Sequence, residues 1–186
     1  RCLFEDSKGN IWIGIYGGLC SFNPINHNME FVSDKHIKIK KFTSPSVVTE
    51  DKEGRLIVGD DNGLYYYYPD KEKVWVPEID APHDERFHHT NNKYNCIYCD
   101  SRGMTWFSTH NGLNILEVEN NTLRKMKAHS YGISNNIIMC IFEDQNHDIW
   151  LSTTNGLNKI VVKKEKGEYH YSINSFNSND GLMKGE

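Results

Sequence analysis

Much that would mark a familiar kind of protein is missing from this chain of 186 residues. Charge of one sign is missing: 21 basic residues face 25 acidic ones, a formal net charge of -4. That balance gives no electrostatic case for nucleic acid or an anionic membrane as partner. No stretch approaches the roughly 20 apolar residues of a membrane span, and the N-terminus lacks the layout of a signal peptide. No segment has helical periodicity. A Gly-x-Ser-x-Gly elbow, a phosphate-binding glycine loop and a His-Glu-x-x-His zinc motif are all absent, which removes the common hydrolase, nucleotide and zincin readings. The chain opens at Arg1, inside a repeat, and stops just after Asp180-Gly181-Leu182. It is therefore expected to be a piece of a longer protein, and a missing leader or span describes this piece alone.

Cysteine is scarce. Among the five, Cys96-Ile97-Tyr98-Cys99 has metal-ligand spacing. Residues three apart on a strand point to opposite faces, however, so these two thiols cannot easily share an ion. Cys2, Cys96 and Cys140 also fall in one position of a repeat where the remaining copy has Val47. A position that accepts Cys or Val is a small apolar packing site, so core thiols are expected.

What is present is that repeat. Glu5-Asp6-Ser7-Lys8-Gly9-Asn10-Ile11-Trp12-Ile13-Gly14 recurs as residues 50–59, 99–108 and 143–152. Each copy closes on a Gly-Leu pair, and the intervals 6 to 18, 51 to 63, 100 to 112 and 144 to 156 are all 12 residues. The copies follow one another at 45, 49 and 44 residues, a period typical of propellers and solenoids.

Each copy opens with a short apolar run such as Cys2-Leu3-Phe4, expected to be a buried strand. An acid and a glycine follow and make a turn, because Asp accepts bonds from amides two residues on and Gly tolerates positive φ. Ile11-Trp12-Ile13 and its equivalents form a second strand. Gly17-Gly18, Asn62-Gly63, Asn111-Gly112 and Asn155-Gly156 are two-residue hairpin turns into a third. A fourth strand, Met29 to Val32 in the first copy, completes a blade of four antiparallel strands. One blade cannot bury both faces alone, so blades must stack, with Trp12, Ile57, Trp106 and Trp150 as the contact between them. The expected fold is all-β: four propeller blades at about 1–45, 46–94, 95–138 and 139–180, with 181–186 leading into a further blade.

These residues resemble the two-component regulator propeller repeat, whose pattern runs apolar strand, Glu-Asp, Gly-Asn-Leu-Trp-Ile-Gly-Thr, then Gly-Gly-Leu and an apolar strand ending near Asp-Pro. Glu5 to Leu19, with Phe22-Asn23-Pro24, matches nearly throughout, and Tyr131-Gly132-Ile133-Ser134-Asn135 looks like the family's lead-in to an innermost strand. The second copy departs at Ile57 and Arg55 and the fourth at His147, so those blades are expected to pack or turn differently. The resemblance implies part of a seven-bladed propeller in the periplasmic sensor region of a hybrid histidine kinase, with the membrane reached only through the parent chain. It implies an oligosaccharide ligand, control of glycan-utilisation genes, and contact with the remaining blades and a second receptor subunit. It implies no cofactor.

Specificity should lie where the copies disagree. The position two before the Gly-Leu glycine holds Tyr16, Asp61, His110 and Thr154, on the side of the blade that also carries the link to the next blade. The longest link, 77–95, contains His83-Asp84-Glu85-Arg86-Phe87-His88-His89. Three His and two acids invite a metal, but no ligand spacing is met and none is assigned. Arg86, His88 and His89, with Trp75 as aromatic platform, are the candidates for sugar contact; an exposed loop or rim without a ligand would look the same. The turn aspartates are too far apart for paired-carboxylate catalysis. A non-enzymatic sensing module is therefore expected for this fragment. The alternatives are a propeller-type glycosidase or lyase, and a non-catalytic scaffold for receptor dimerisation.

Overall fold

In the computed structural model, described for residues 2–32, 42–61, 63–76, 94–118 and 122–182, four four-stranded antiparallel sheets follow one another along the chain. Blade 1 comprises β1 (Cys2–Glu5), β2 (Ile11–Ile15), β3 (Gly18–Phe22) and β4 (Met29–Phe31). Blade 2 comprises β5 (Val47–Glu50), β6 (Leu56–Asp60), β7 (Gly63–Tyr68) and β8 (Lys73–Trp75). Blade 3 comprises β9 (Cys96–Cys99), β10 (Met104–Thr109), β11 (Gly112–Glu117) and β12 (Thr122–Met126). Blade 4 comprises β13 (Ile138–Glu143), β14 (Ile149–Thr153), β15 (Gly156–Glu165) and β16 (Glu168–Phe176). Within each sheet the strands lie in chain order. The first strands of successive blades are neighbours, β1 beside β5, β5 beside β9 and β9 beside β13, as in the inner wall of a propeller. Among the described residues the one α-helical turn, Ala128–Tyr131, lies in the link into blade 4.

The repeated aspartate builds the first turn of every blade. One carboxylate oxygen of Asp6 accepts the amides of Lys8 and Asn10 at 3.0 and 2.8 Å, and the other accepts the Trp12 indole N–H at 2.8 Å. Asp100 and Asp144 repeat this with Trp106 (2.9 Å) and Trp150 (2.8 Å). Blade 2 has no tryptophan here, and Arg55 takes its place: its Nε donates to the free oxygen of Asp51 at 2.5 Å. The guanidinium lies 5.5 Å from the ring centre of Tyr66. Tyr66 sits opposite Ile57, where the other blades have Ser21, Ile115 and Lys159 opposite their tryptophans. Bulk lost from the second strand is thus restored from the third, and the donor lost with the indole is restored by Arg55. Blade 2 does pack differently, as its sequence suggests. Blade 4 does not turn differently: His147 adopts φ 63°, and its amide bonds to the carbonyl of Asp144 at 2.9 Å as Gly9 does to Asp6.

Three apolar seams join the blades. Trp12 and Leu19 meet Val48, Val58 and Tyr67 between blades 1 and 2. Ile57 and Tyr66 meet Ile97 and Phe107 between blades 2 and 3, and Trp106 meets Ile138, Ile141 and Leu151 between blades 3 and 4. Trp150, half-buried, stacks on Phe176 of its own blade, with ring centres 5.9 Å apart. On blade 1 the cross-strand row Leu3, Ile13, Cys20, Phe31 lies on the face away from blade 2, leaving Leu3 and Phe31 exposed.

All five cysteines are free thiols. Cys96 packs into the seam of blades 3 and 4 and Cys99 into that of blades 2 and 3, as opposite faces require. Cys20 is buried, but Cys140 is exposed. The expectation of a core thiol fails there because the Cys2 and Cys96 position faces the following blade, and none of the described blades follows Cys140.

Candidate functional site

The hairpins joining second and third strands lie at one end of the molecule, together with the links between blades. The amide of Gly17 bonds to the carbonyl of Thr43 at 2.7 Å, Asn95 to Ser108 at 3.1 Å and Thr154 to Ile137 at 3.3 Å. Tyr16, Asp61, His110 and Thr154 therefore share this rim, one from each blade. Tyr16, His110 and Thr154 are exposed and Asp61 is half-buried. Trp75 lies elsewhere: its ring sits edge-on to Tyr66 at 5.0 Å in the seam between blades 2 and 3. Arg86, His88 and His89 fall outside the described residues, as does the rest of the 83–89 segment.

Beneath the rim lies a polar layer that sequence reasoning missed, one position before the variable slot, at Asp60, Thr109 and Thr153; blade 1 has Ile15 there. Asp60 is fully buried and accepts the amides of Thr43 and Ser44 at 3.0 and 2.7 Å and the Thr43 hydroxyl at 3.0 Å. It clips the link entering blade 2 onto that blade's hairpin. In blade 4 the Thr153 hydroxyl meets that of Ser134 at 2.8 Å, and the Asn158 side chain accepts the Ser134 amide at 2.8 Å. Ser175 adds a hydroxyl bond to the same Asn158 oxygen at 2.7 Å. The signal available in the sequence was an acid or threonine before the variable position in three of the four copies.

Burial, with Asp60 nearby, pushes the Tyr65 phenol up to about 12. Burial likewise raises that of Tyr94, helped by Tyr65 and Asp60. Both phenols are therefore protonated at neutral pH. Among the described residues, the buried hydroxyls of Tyr94 and Ser44 find no hydrogen-bond partner.

The opposite end carries the turn aspartates and is occupied by structure. Burial opposes ionisation of Asp6, but its bonds from Trp12, Asn10 and Lys8 together outweigh that and hold the carboxyl below its ordinary range. Among the described residues no three His, Cys, Asp or Glu are placed to hold a metal. The rim offers a phenol, a carboxylate, an imidazole and a hydroxyl on four separate hairpins. That set can donate and accept hydrogen bonds across a broad surface, and it contains one carboxylate rather than a pair.

The family model described as the two-component regulator propeller matches residues 1–17, 89–111 and 132–155. Those three segments are similar to that repeat. The regulator propeller matches fall in blades 1, 3 and 4, and the unmatched blade is the one in which Arg55 and Tyr66 replace the Trp-Asp arrangement. No curated protein sequence matches the chain. Among solved structures, the extracellular domain of a hybrid two-component system of B. thetaiotaomicron is 22% identical with a TM-score of 0.72, over 98% of this chain and 23% of that one. A second such domain from B. thetaiotaomicron is 24% identical with a TM-score of 0.68, over 86% of this chain and 20% of that one. PorZ, a surface component of the type-IX secretion system of Porphyromonas gingivalis, is 12% identical with a TM-score of 0.63, over 99% of this chain and 28% of that one. At these identities the likeness is one of fold, which these blades share with proteins of different roles. The chain spans about a quarter of the length of these relatives or less. No helix among its described residues is long and apolar enough to cross a membrane.

Proposed function

We propose that this chain is part of the periplasmic ligand-sensing region of a hybrid two-component sensor kinase, that its ligand is an oligosaccharide, and that occupancy controls genes for glycan use. The observation that carries the reading is the rim. The repeat holds its turn, its seam and its hairpin nearly constant while the outermost hairpin position changes from phenol to carboxylate to imidazole to hydroxyl. A neutral polyol suits such a surface, since Asp61 accepts from sugar hydroxyls, His110 and Thr154 do either, and Tyr16 adds an aromatic face. Arg86, His88 and His89 of the long link would extend it; Trp75, in the seam, would support it from behind rather than stack on a sugar.

Signalling requires that ligand bind one arrangement of the parent better than another. A ligand touching hairpins of several blades would do so by favouring one set of blade-to-blade angles. The test is calorimetric titration of the intact receptor with a panel of oligosaccharides, followed by the rim variants. Replacing Asp61 and His110 by Ala should weaken binding at least tenfold without moving the melting temperature. Unchanged binding would exclude the rim, and Arg86 and His88 replaced with no loss of response would exclude the long link. Turnover of any oligosaccharide by the purified chain would replace the sensing reading with an enzymatic one.

A further inference from the structure

The fourth blade ends in a strand unlike its counterparts. The outer strands of the first three blades have three, three and five residues, whereas β16 has nine. Short outer strands limit unwanted pairing at a sheet edge; a long one without proline or bulge invites it. β16 is paired with β15 along its whole length, and no other described strand pairs with its outer edge.

The turn tells which backbone groups are free. Lys166 and Gly167, at φ 50° and 88°, form a two-residue hairpin loop between the paired residues Glu165 and Glu168. The pair flanking such a loop exchanges hydrogen bonds, and the pattern alternates from there. Glu168, His170, Ser172, Asn174 and Phe176 thus direct their backbone groups at β15. Tyr169, Tyr171, Ile173 and Ser175 direct theirs outward. The side chains of Tyr169, Tyr171 and Ile173 are anchored in the seam with blade 3, where Tyr171 meets Trp106 edge-on at 5.9 Å, so the edge is held rigidly. On the other face Glu168, His170, Ser172 and Asn174 are exposed.

We propose that β16 is a dimerisation edge, paired antiparallel with β16 of a second copy of this chain about a two-fold axis at Ser172. This register alone pairs all nine residues of both strands. It places Tyr171 opposite Ile173, an aromatic and β-branched pair of the kind that stabilises sheets. His170 faces Asn174, Ser172 faces itself, and no two like charges are opposed. The outward amides and carbonyls of Tyr169, Tyr171, Ile173 and Ser175 all gain partners, and two blades become one continuous sheet. The contact is isologous and therefore closes at two copies. It uses no rim residue, so it stands apart from oligosaccharide sensing.

The full chain is tested by sedimentation equilibrium and by crosslinking. The wild type should sediment at twice the chain mass, and Ser172→Lys, which puts two ammonium groups face to face on an exposed surface, at the chain mass with unchanged circular dichroism. Ser172 would lie in a non-hydrogen-bonded pair with Cα atoms about 4.5 Å apart, within disulfide range. Ser172→Cys should therefore give a reducible dimer on oxidation beyond the wild-type background from exposed Cys140. His170→Cys should not, while His170→Cys with Asn174→Cys should. A wild type at the chain mass, a Ser172→Lys variant that remains dimeric, or Ser172→Cys crosslinking no better than wild type would each overturn the proposal.

Discussion

The aspartate that opens each turn does three things with two oxygens: it closes the turn, fixes the second strand and aims the seam side chain. Removing its indole partner should therefore cost packing and polarity together. Trp106, fully buried, should lose about 3–5 kcal/mol on replacement by Ala, read from a urea midpoint. In blade 2 the same aspartate depends on Arg55, half-buried against the Tyr66 ring. Arg55→Ala should cost about 1–3 kcal/mol, because Asp51 is left with an unpaired oxygen. Ile57→Trp alone should destabilise by overpacking against Tyr66, and adding Tyr66→Ser should recover part of the loss. A double-mutant cycle showing strict additivity would refute that exchange of bulk. Acid sensitivity follows from the same side chains. Asp6 ionises more readily folded than unfolded, so the unfolded chain binds more protons as pH falls. Its contribution is complete above the unfolded value, about 3.9, and is lost as pH drops through the lower folded value. Asp6→Asn should flatten the dependence of the urea midpoint on pH in that window.

Neighbouring blades are latched near these turns as well as packed. Glu50, ending β5, accepts the amide and hydroxyl of Ser7 at 2.7 and 2.9 Å, and Glu143, ending β13, accepts those of Ser101 at 2.7 and 2.5 Å. Blade 2 carries Lys52 where the serine belongs and blade 3 carries Cys99 where the glutamate belongs; Lys52 bonds instead to the Ser101 carbonyl. The two latches differ in burial. Glu143, with its side chain 8% exposed, also pairs with Arg102, so burial, which would raise its carboxyl, is outweighed by Ser101, His147 and Arg102. Glu143→Ala should cost about 1–3 kcal/mol and Glu50→Ala less than 1. Hydrogen exchange should show β13 losing more protection than β5 does. Much of this architecture is legible in the sequence because turns and seams depend on residues at fixed spacing: Asp, Trp and Gly-Leu announce both. The latch is not legible, because each half lies in a different copy about 43 residues away and looks like an ordinary surface residue. The long fourth outer strand was hidden too, since the Lys and Glu run after Val162 masks the alternation of Tyr169, Tyr171 and Ile173 that faces blade 3.

For the molecule as a whole, stacking order separates a conserved interior from a variable rim. The rim's location could be read from strand direction alone, and the structure puts Tyr16, Asp61, His110 and Thr154 on the same end as the links at Thr43, Asn95 and Ile137. The layer below it could not be read, because Asp60 acquires its role only when residues 42–44 fold over blade 2. Trp75 shows the reverse failure, an aromatic residue suggestive of a sugar platform that the seam consumes. The central claim, that an oligosaccharide is recognised on this rim, is tested most directly by calorimetric titration of the intact receptor against variants at Tyr16, Asp61, His110 and Thr154. Binding to the wild type that falls at least tenfold in the combined alanine variant, with the melting temperature unchanged, is the predicted result. Equal affinity in the two proteins would contradict the account.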